Sequence, residues 1–134
     1  MKYLLDTDTC IYYLNKNEAV ISAVEKVAQE ELAISLITLA ELQFGAYNSN
    51  QVERNLKRVS FFENSVQVLG LDSEITLEYA RIRAELRKTG TTIDDFDLLI
   101  AATALINNLT LVTNNVRHFE KIGGLALDNW VLFS

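Results

Sequence analysis

The chain has 134 residues, 49% of them apolar, a formal net charge of −6, one cysteine and one histidine. That supplies one core in one domain over residues 1–134 and excludes a disordered chain. The negative charge excludes a broad electrostatic coat for nucleic acid, and the lone Cys10 excludes an internal disulfide.

No apolar run approaches the roughly 20 residues of a membrane span, so no membrane association is expected. The first residues lack the basic start and apolar stretch of a signal peptide. With a single cysteine, these features predict a protein of the reducing cytoplasm.

Without proline, punctuation along the chain falls to Gly, Asn and Asp. Residues 2–5 read as a short buried strand. Val20, Ile21, Val24 and Val27 recur at helical spacing and predict a helix over 18–29. A second strand is expected at 32–36, followed by a helix from Thr38 to Tyr47 and a turn at Asn48-Ser49-Asn50. The next helix covers 51–62, with Val52, Leu56, Val59 and Phe62 on one face. Ser65 to Leu69 alternates as a strand does. Asp72 is an N-cap for a long helix to Lys88, closed by Gly90, with Ile75, Tyr79, Ile82 and Leu86 facing the core. A strongly apolar helix over 96–107 and a fourth strand at Leu109–Val112 follow. Leu125–Leu127 with Val131–Leu132 adds a weak fifth strand. Strands alternating with helices imply an α/β protein with a parallel sheet covered on both faces. Right-handed crossovers then put the strand C-terminal ends on one side, where ligands bind.

Three acids mark junctions in this pattern. Asp6 follows Tyr3-Leu4-Leu5, Glu41 follows the run Ala33 to Ile37, and Asp97 opens the run Leu98 to Ala102. Each has a purely structural role available. Thr38-Leu39-Ala40-Glu41 matches a capping box, Asp97 complements a helix dipole, and Asp6 can cap a helix starting at Thr7 or Asp8. Their shared topology argues for more. Gly45, four residues after Glu41, permits close approach, and Ala101 and Ala104 let the Asp97 helix press on the sheet. Helix N-termini lower carboxylate pKa values, so the three acids are expected to be ionised and to need a compensating cation. Oxygen donors with almost no His or Cys available suit Mg²⁺ or Mn²⁺. Thr113 at the end of the fourth strand can orient a ligand oxygen, and Asn115 can supply an amide. His118 is the rival general base by residue type, but between Arg117 and Phe119 it reads as a surface residue, and Cys10 reads as a small buried hydrophobe.

Several stretches together resemble the PIN-domain family, and within it the VapC-type toxins of bacterial toxin–antitoxin pairs. They are Leu4-Leu5-Asp6-Thr7, Ile37-Thr38-Leu39-Ala40-Glu41-Leu42 with Gly45, Ile82-Arg83-Ala84-Glu85-Leu86 with Gly90, Asp97 to Ala102, Val112-Thr113-Asn114-Asn115, Phe119, Leu125 and Asn129-Trp130. The resemblance spans nearly the whole chain in the family's order. It implies a three-layer α/β/α domain around a central, mostly parallel sheet of four to five strands. It also implies Mg²⁺-dependent ribonuclease activity, with Mn²⁺ as the other candidate ion. The family's acids map onto Asp6, Glu41 and Asp97, as catalytic residues and metal ligands. Thr7, Asp8, Thr113 and Asn115 form a secondary set. Asp8 stands where the family often has Asn, and Asn115 stands where many members carry a fourth acid.

The implied reaction is hydrolysis of an RNA phosphodiester, with Asp6 and Asp97 anchoring the ion and Glu41 orienting or deprotonating water. The implied partners are an RNA substrate, a VapB-like antitoxin and a second copy of the chain. Phe61 and Phe62 are expected at that homodimer contact. The alternative is a non-catalytic PIN-like module that binds RNA or protein, supported by Asn115. A receiver-like phosphorylation domain lacks a convincing acceptor strand and its Lys.

Overall fold

In the computed structural model, which describes residues 1–131, five strands form one sheet. The strands are β1 (Tyr3–Leu5), β2 (Leu32–Ser35), β3 (Gln67–Leu69), β4 (Thr110–Val112) and β5 (Leu127–Asp128). Their order is β3-β2-β1-β4-β5, and all four pairings are parallel. Seven helices connect them: α1 (Thr7–Leu14), α2 (Glu18–Glu25), α3 (Leu36–Tyr47), α4 (Val52–Glu63), α5 (Ser73–Lys88), α6 (Asp95–Ile106) and α7 (Val116–Phe119). Among the described residues, no helix is long and apolar enough to cross a membrane.

Alternation along the short central strands builds the layers. Leu4 and its partner Leu111 join a cluster with Ile75, Ile82, Leu86, Leu98 and Ala101, which packs α5 and α6 on one face. Leu5 and its partner Val112 point the other way, to a cluster with Cys10, Val20, Leu39, Leu42, Val59 and Phe62 from α1–α4. Each such fully buried Leu or Val contributes about 1.5–3 kcal/mol relative to exposure, so three-residue strands suffice at the centre. Ala101, Ala102 and Ala104 are fully buried, which lets α6 lie close against its neighbours. Tyr3 of the central strand meets Trp130 edge-on at 5.1 Å, and the indole Nε1 donates to Asp128 Oδ2 on the edge strand β5.

The sequence expectations differ from the structure at identifiable points. The helix expected over 18–29 stops at Glu25, and a single 3-10 turn at Gln29–Glu31 leads into β2. α3 starts two residues before Thr38, because Ser35 Oγ accepts the Ile37 amide as N-cap. Thr38 therefore lies inside the helix, and the capping box with Glu41 does not form. β5 forms at Leu127–Asp128 instead of at Leu125–Leu127, while Leu132 of the expected strand lies outside the described residues. Phe62 is buried at 4% exposure, but Phe61 is 80% exposed. The end of α5 closes as expected: Gly90 has φ +73°, and Thr91 N donates to Leu86 O at 2.9 Å.

Gly45 is also corrected. No heavy atom lies within 4 Å of where its Cβ would stand, and its φ is not positive. It permits no close approach; it is an ordinary, exposed helical position. Gly45→Ala is thus expected to stabilise the fold by about 0.5–1 kcal/mol, read by chemical denaturation.

Candidate active site

Because β1 is central and the order reverses between β1 and β4, the C-terminal ends of these two strands flank the topological switch point of the sheet. Asp6 and Thr113 occupy those two ends. Asp6 is 6% exposed and caps α1, its Oδ1 accepting the Thr9 amide at 2.8 Å. Its own amide donates to Val112 O at 3.0 Å, which ties the carboxylate to β4. The Thr113 hydroxyl lies close enough to the Asp6 carboxylate to lower its pKa, and Thr113 Oγ1 accepts the Asn115 amide at 3.0 Å. The structural role of Asp6 as a cap is therefore real, and it also fixes the acid at the sheet edge.

Glu41 sits in the second turn of α3. Its bond is not to the Thr38 amide: Thr7 Oγ1 donates to Glu41 Oε1 at 2.5 Å, and the Thr38 hydroxyl lies 3.2 Å from the same Thr7 oxygen. Thr7 thus links the start of α1 to the acid on α3 through Oε1, leaving Oε2 free of this bond. Thr7→Ala is expected to lower the cleavage rate about tenfold with little change in KM, since it frees the positioned Glu41 carboxylate. Steady-state kinetics on a defined RNA would show it.

Asp97 lies in the first turn of α6, where Asp94 is the N-cap and accepts the Phe96 amide at 3.2 Å. Its pKa is pushed up to about 6, chiefly by burial, with the charges of Asp94, Asp6 and Glu41 adding and His118 opposing. Burial raises Asp6 as well, against hydrogen bonds from Thr113 and Thr9, and the exposed Asp8 adds to the rise. The expected lowering by helix N-termini is overturned for both: desolvation outweighs the helix dipole, helped by repulsion from Asp8 at Asp6 and from Asp94, Asp6 and Glu41 at Asp97. The repulsion is itself a sign that the three acids share one locality.

His118, read from the sequence as a surface residue, stands beside Asp97. Its Nε2 lies 3.5 Å from Asp97 Oδ2, and its side chain is 25% exposed. The short helix α7 carries it there, held by the buried Phe119 and by His118 N donating to Asn115 O at 3.1 Å. The polar run after β4, with His three residues past a capping Asn, was the available signal. Asn115 itself is exposed at the N-cap of α7, where its side chain makes no capping bond. It holds the turn through its backbone. Cys10 is fully buried, and burial pushes its thiol pKa up, which leaves a packing role.

The donor set suits a divalent cation. Among the described residues no Lys or Arg pairs with Asp6, Glu41 or Asp97, and only His118 stands near one of them as a candidate counter-charge. No three of the described Asp, Glu, His and Cys residues close into a preformed cage either. An ion that keeps several of its waters needs no such cage.

A family model of the PIN domain matches residues 3–125. The chain belongs to the PIN-domain family. PIN-domain nucleases work with divalent metal ions, in keeping with this oxygen-rich site. Ribonuclease VapC2 of Rickettsia felis is 39% identical over 132 residues, covering 97% of this chain and 98% of the relative. The tRNA(fMet)-specific endonuclease VapC of Shigella flexneri is 37% identical, covering 97% of this chain and 98% of the relative. Among solved structures, DNA-bound VapBC from Salmonella typhimurium superposes with a TM-score of 0.92 at 39% identity, over 97% of this chain and 98% of that chain.

Proposed function

We propose that this PIN domain is a metal-dependent endoribonuclease toxin of a VapBC-type pair, acting in the cytoplasm. One observation carries it: Asp6, Glu41 and Asp97 converge beside the switch point, and among the described residues no Lys or Arg pairs with them. Asp6 and Asp97 would hold the ion, Mg²⁺ or Mn²⁺. When bound, the ion supplies Lewis-acid polarisation of the phosphodiester and makes water a better nucleophile. Glu41, oriented by Thr7, takes the water's proton at Oε2. Thr113 keeps the Asp6 carboxylate aimed, and Asp8 adds negative potential at the rim. Asn115 backs the site by ordering the turn that carries α7. The test is purified protein with tRNA: Mg²⁺ or Mn²⁺ yields discrete endonucleolytic fragments and EDTA stops them. Binding without turnover at any metal concentration would favour the non-catalytic module.

RNA needs cations outside the acids. Arg81 is committed to Glu78 and Glu85, and Arg83 to Asp95 and Tyr79. A groove of about 500 Å³ runs along the end of α5, through Gly90–Ile93, to the first turn of α6, and Arg87 lines it. Arg87 has no ion pair among the described residues. Arg87→Ala should weaken RNA binding and reduce the log–log salt slope by about 0.7, the value for one single-strand phosphate contact. An unchanged slope would remove Arg87 from the RNA path.

A VapB-like antitoxin is the proposed partner, as in the VapBC complexes of the relatives. A second groove, of about 210 Å³, lies between α1, α3 and α4, lined by Ile11, Leu14, Leu42 and Val59 and reaching Glu41. An apolar segment seated there would end at the acids and block them. The homodimer belongs to the same proposal, with the exposed Phe61 as its apolar contact.

A further inference from the structure

His118 lies outside the acidic set yet faces it. It is the only histidine of the chain. Its place is fixed by three features. Phe119 next to it is 1% exposed and anchors α7 in the core. The Thr113 hydroxyl, itself close to the Asp6 carboxylate, accepts the Asn115 amide at the start of α7. The imidazole stands edge-on to the Phe119 ring at 83°. The ring nitrogen is thus held beside the Asp97 carboxylate.

The 3.5 Å between Nε2 and Asp97 Oδ2 is informative. It is longer than a good hydrogen bond, which falls at about 2.7–3.2 Å. Two neighbouring ligands of an octahedral ion, each about 2.1 Å from it, stand about 3 Å apart. A small side-chain adjustment would bring this pair to that spacing. Imidazole nitrogen is a donor for first-row transition metals, whereas Mg²⁺ strongly prefers oxygen.

We propose that His118 Nε2 and Asp97 Oδ2 bind one divalent ion together, as a mixed nitrogen–oxygen pair that makes this site prefer Mn²⁺ to Mg²⁺. The inference rests on the metal-dependent function proposed above and deepens it. His118 is then a metal ligand, not a surface residue and not merely a prop for Asp97.

Because the chain holds one histidine, a spectroscopic test needs no assignment. Full-length protein loaded with Mn²⁺ is examined by pulsed electron paramagnetic resonance for coupling to imidazole ¹⁴N. Binding of Mn²⁺ and Mg²⁺ is titrated in parallel for wild type, His118→Ala and Asp97→Asn. The expected result is direct ¹⁴N coupling in wild type that vanishes in His118→Ala. Mn²⁺ affinity should fall about tenfold in that variant, with Mg²⁺ affinity within about twofold of wild type. A prop acting through Asp97 would weaken both ions alike and give no direct coupling. Bound Mn²⁺ without nitrogen coupling overturns the role of His118 and leaves the nuclease proposal standing. Absence of Mn²⁺ binding, or binding indifferent to Asp97→Asn, overturns both.

Discussion

Asp97→Asn is expected to cut RNA cleavage by at least about a hundredfold while raising the melting temperature of the metal-free protein. The two effects have opposite signs for one physical reason. Asp97 is raised to about 6 by burial and by the charges of Asp94, Asp6 and Glu41, so its ionised form is under electrostatic stress. Asn keeps the size and removes the charge. The helix start is unaffected, because Asp94 is the residue that caps α6. The charge that costs stability is the one that would hold the ion. Initial rates on a defined RNA and thermal melts in EDTA measure the two sides. A variant that loses activity and melts lower would point to a fold defect instead, and would contradict the assignment of Asp97.

The second large effect couples metal, pH and stability. In EDTA the melting temperature is expected to rise as pH falls from about 7 to 5. The folded-state pKa of Asp97 lies above its ordinary value of 3.8, so the folded chain binds the proton more tightly than the unfolded chain. Stability is therefore gained as pH falls through about 6, and the gain is complete below the unfolded value. Asp6, also raised by burial, acts in the same direction. A divalent ion reverses the trend, because protons compete with it for the carboxylates. At a free ion concentration of 100 times Kd it should stabilise the fold by about 2.7 kcal/mol, on the order of 10 °C for a domain of this size. The gain should be largest near pH 7.5 and should shrink at pH 5. Melts with and without Mn²⁺ at both pH values would decide it. A metal-free protein that is least stable at pH 5 would contradict the shared acidic locality.

What the sequence revealed was what periodicity and capping determine locally. β1, α5 with Asp72 and Gly90, and α6 with its buried alanines were legible because apolar spacing and end residues agree there. The start of α3 was not. Ser35 and Thr38 are both good caps, and only the end of β2 decides that Ser35 is used. The environment of Glu41 followed from that shift, since its hydroxyl partner Thr7 is 34 residues away. The rise of the Asp6 and Asp97 pKa values was hidden for a similar reason. A helix dipole is read from a local pattern, whereas burial and distant like charges belong to the assembled fold. The place of His118 was not legible either. Its approach to Asp97 depends on α7 turning back across the sheet edge, and a four-residue helix leaves almost no periodic trace. The positions of Asp6, Glu41 and Asp97 in the chain were nonetheless visible as polar breaks at the ends of buried runs.

The central claim is that Asp6, Glu41 and Asp97 form one divalent-ion site that serves RNA hydrolysis. The most direct test follows cleavage of a tRNA by equal amounts of purified wild type and Asp6→Asn protein. Mg²⁺ and Mn²⁺ are titrated from zero in the presence of chelator, and metal binding is measured on the same samples. Asn caps helices as well as Asp does, so α1 should persist in the variant. The predicted result is wild-type cleavage that rises with metal occupancy and is absent in EDTA. Asp6→Asn should neither cleave nor bind metal at those concentrations, while remaining folded by circular dichroism. Undiminished cleavage by wild type in EDTA, or by folded Asp6→Asn protein, would contradict the claim.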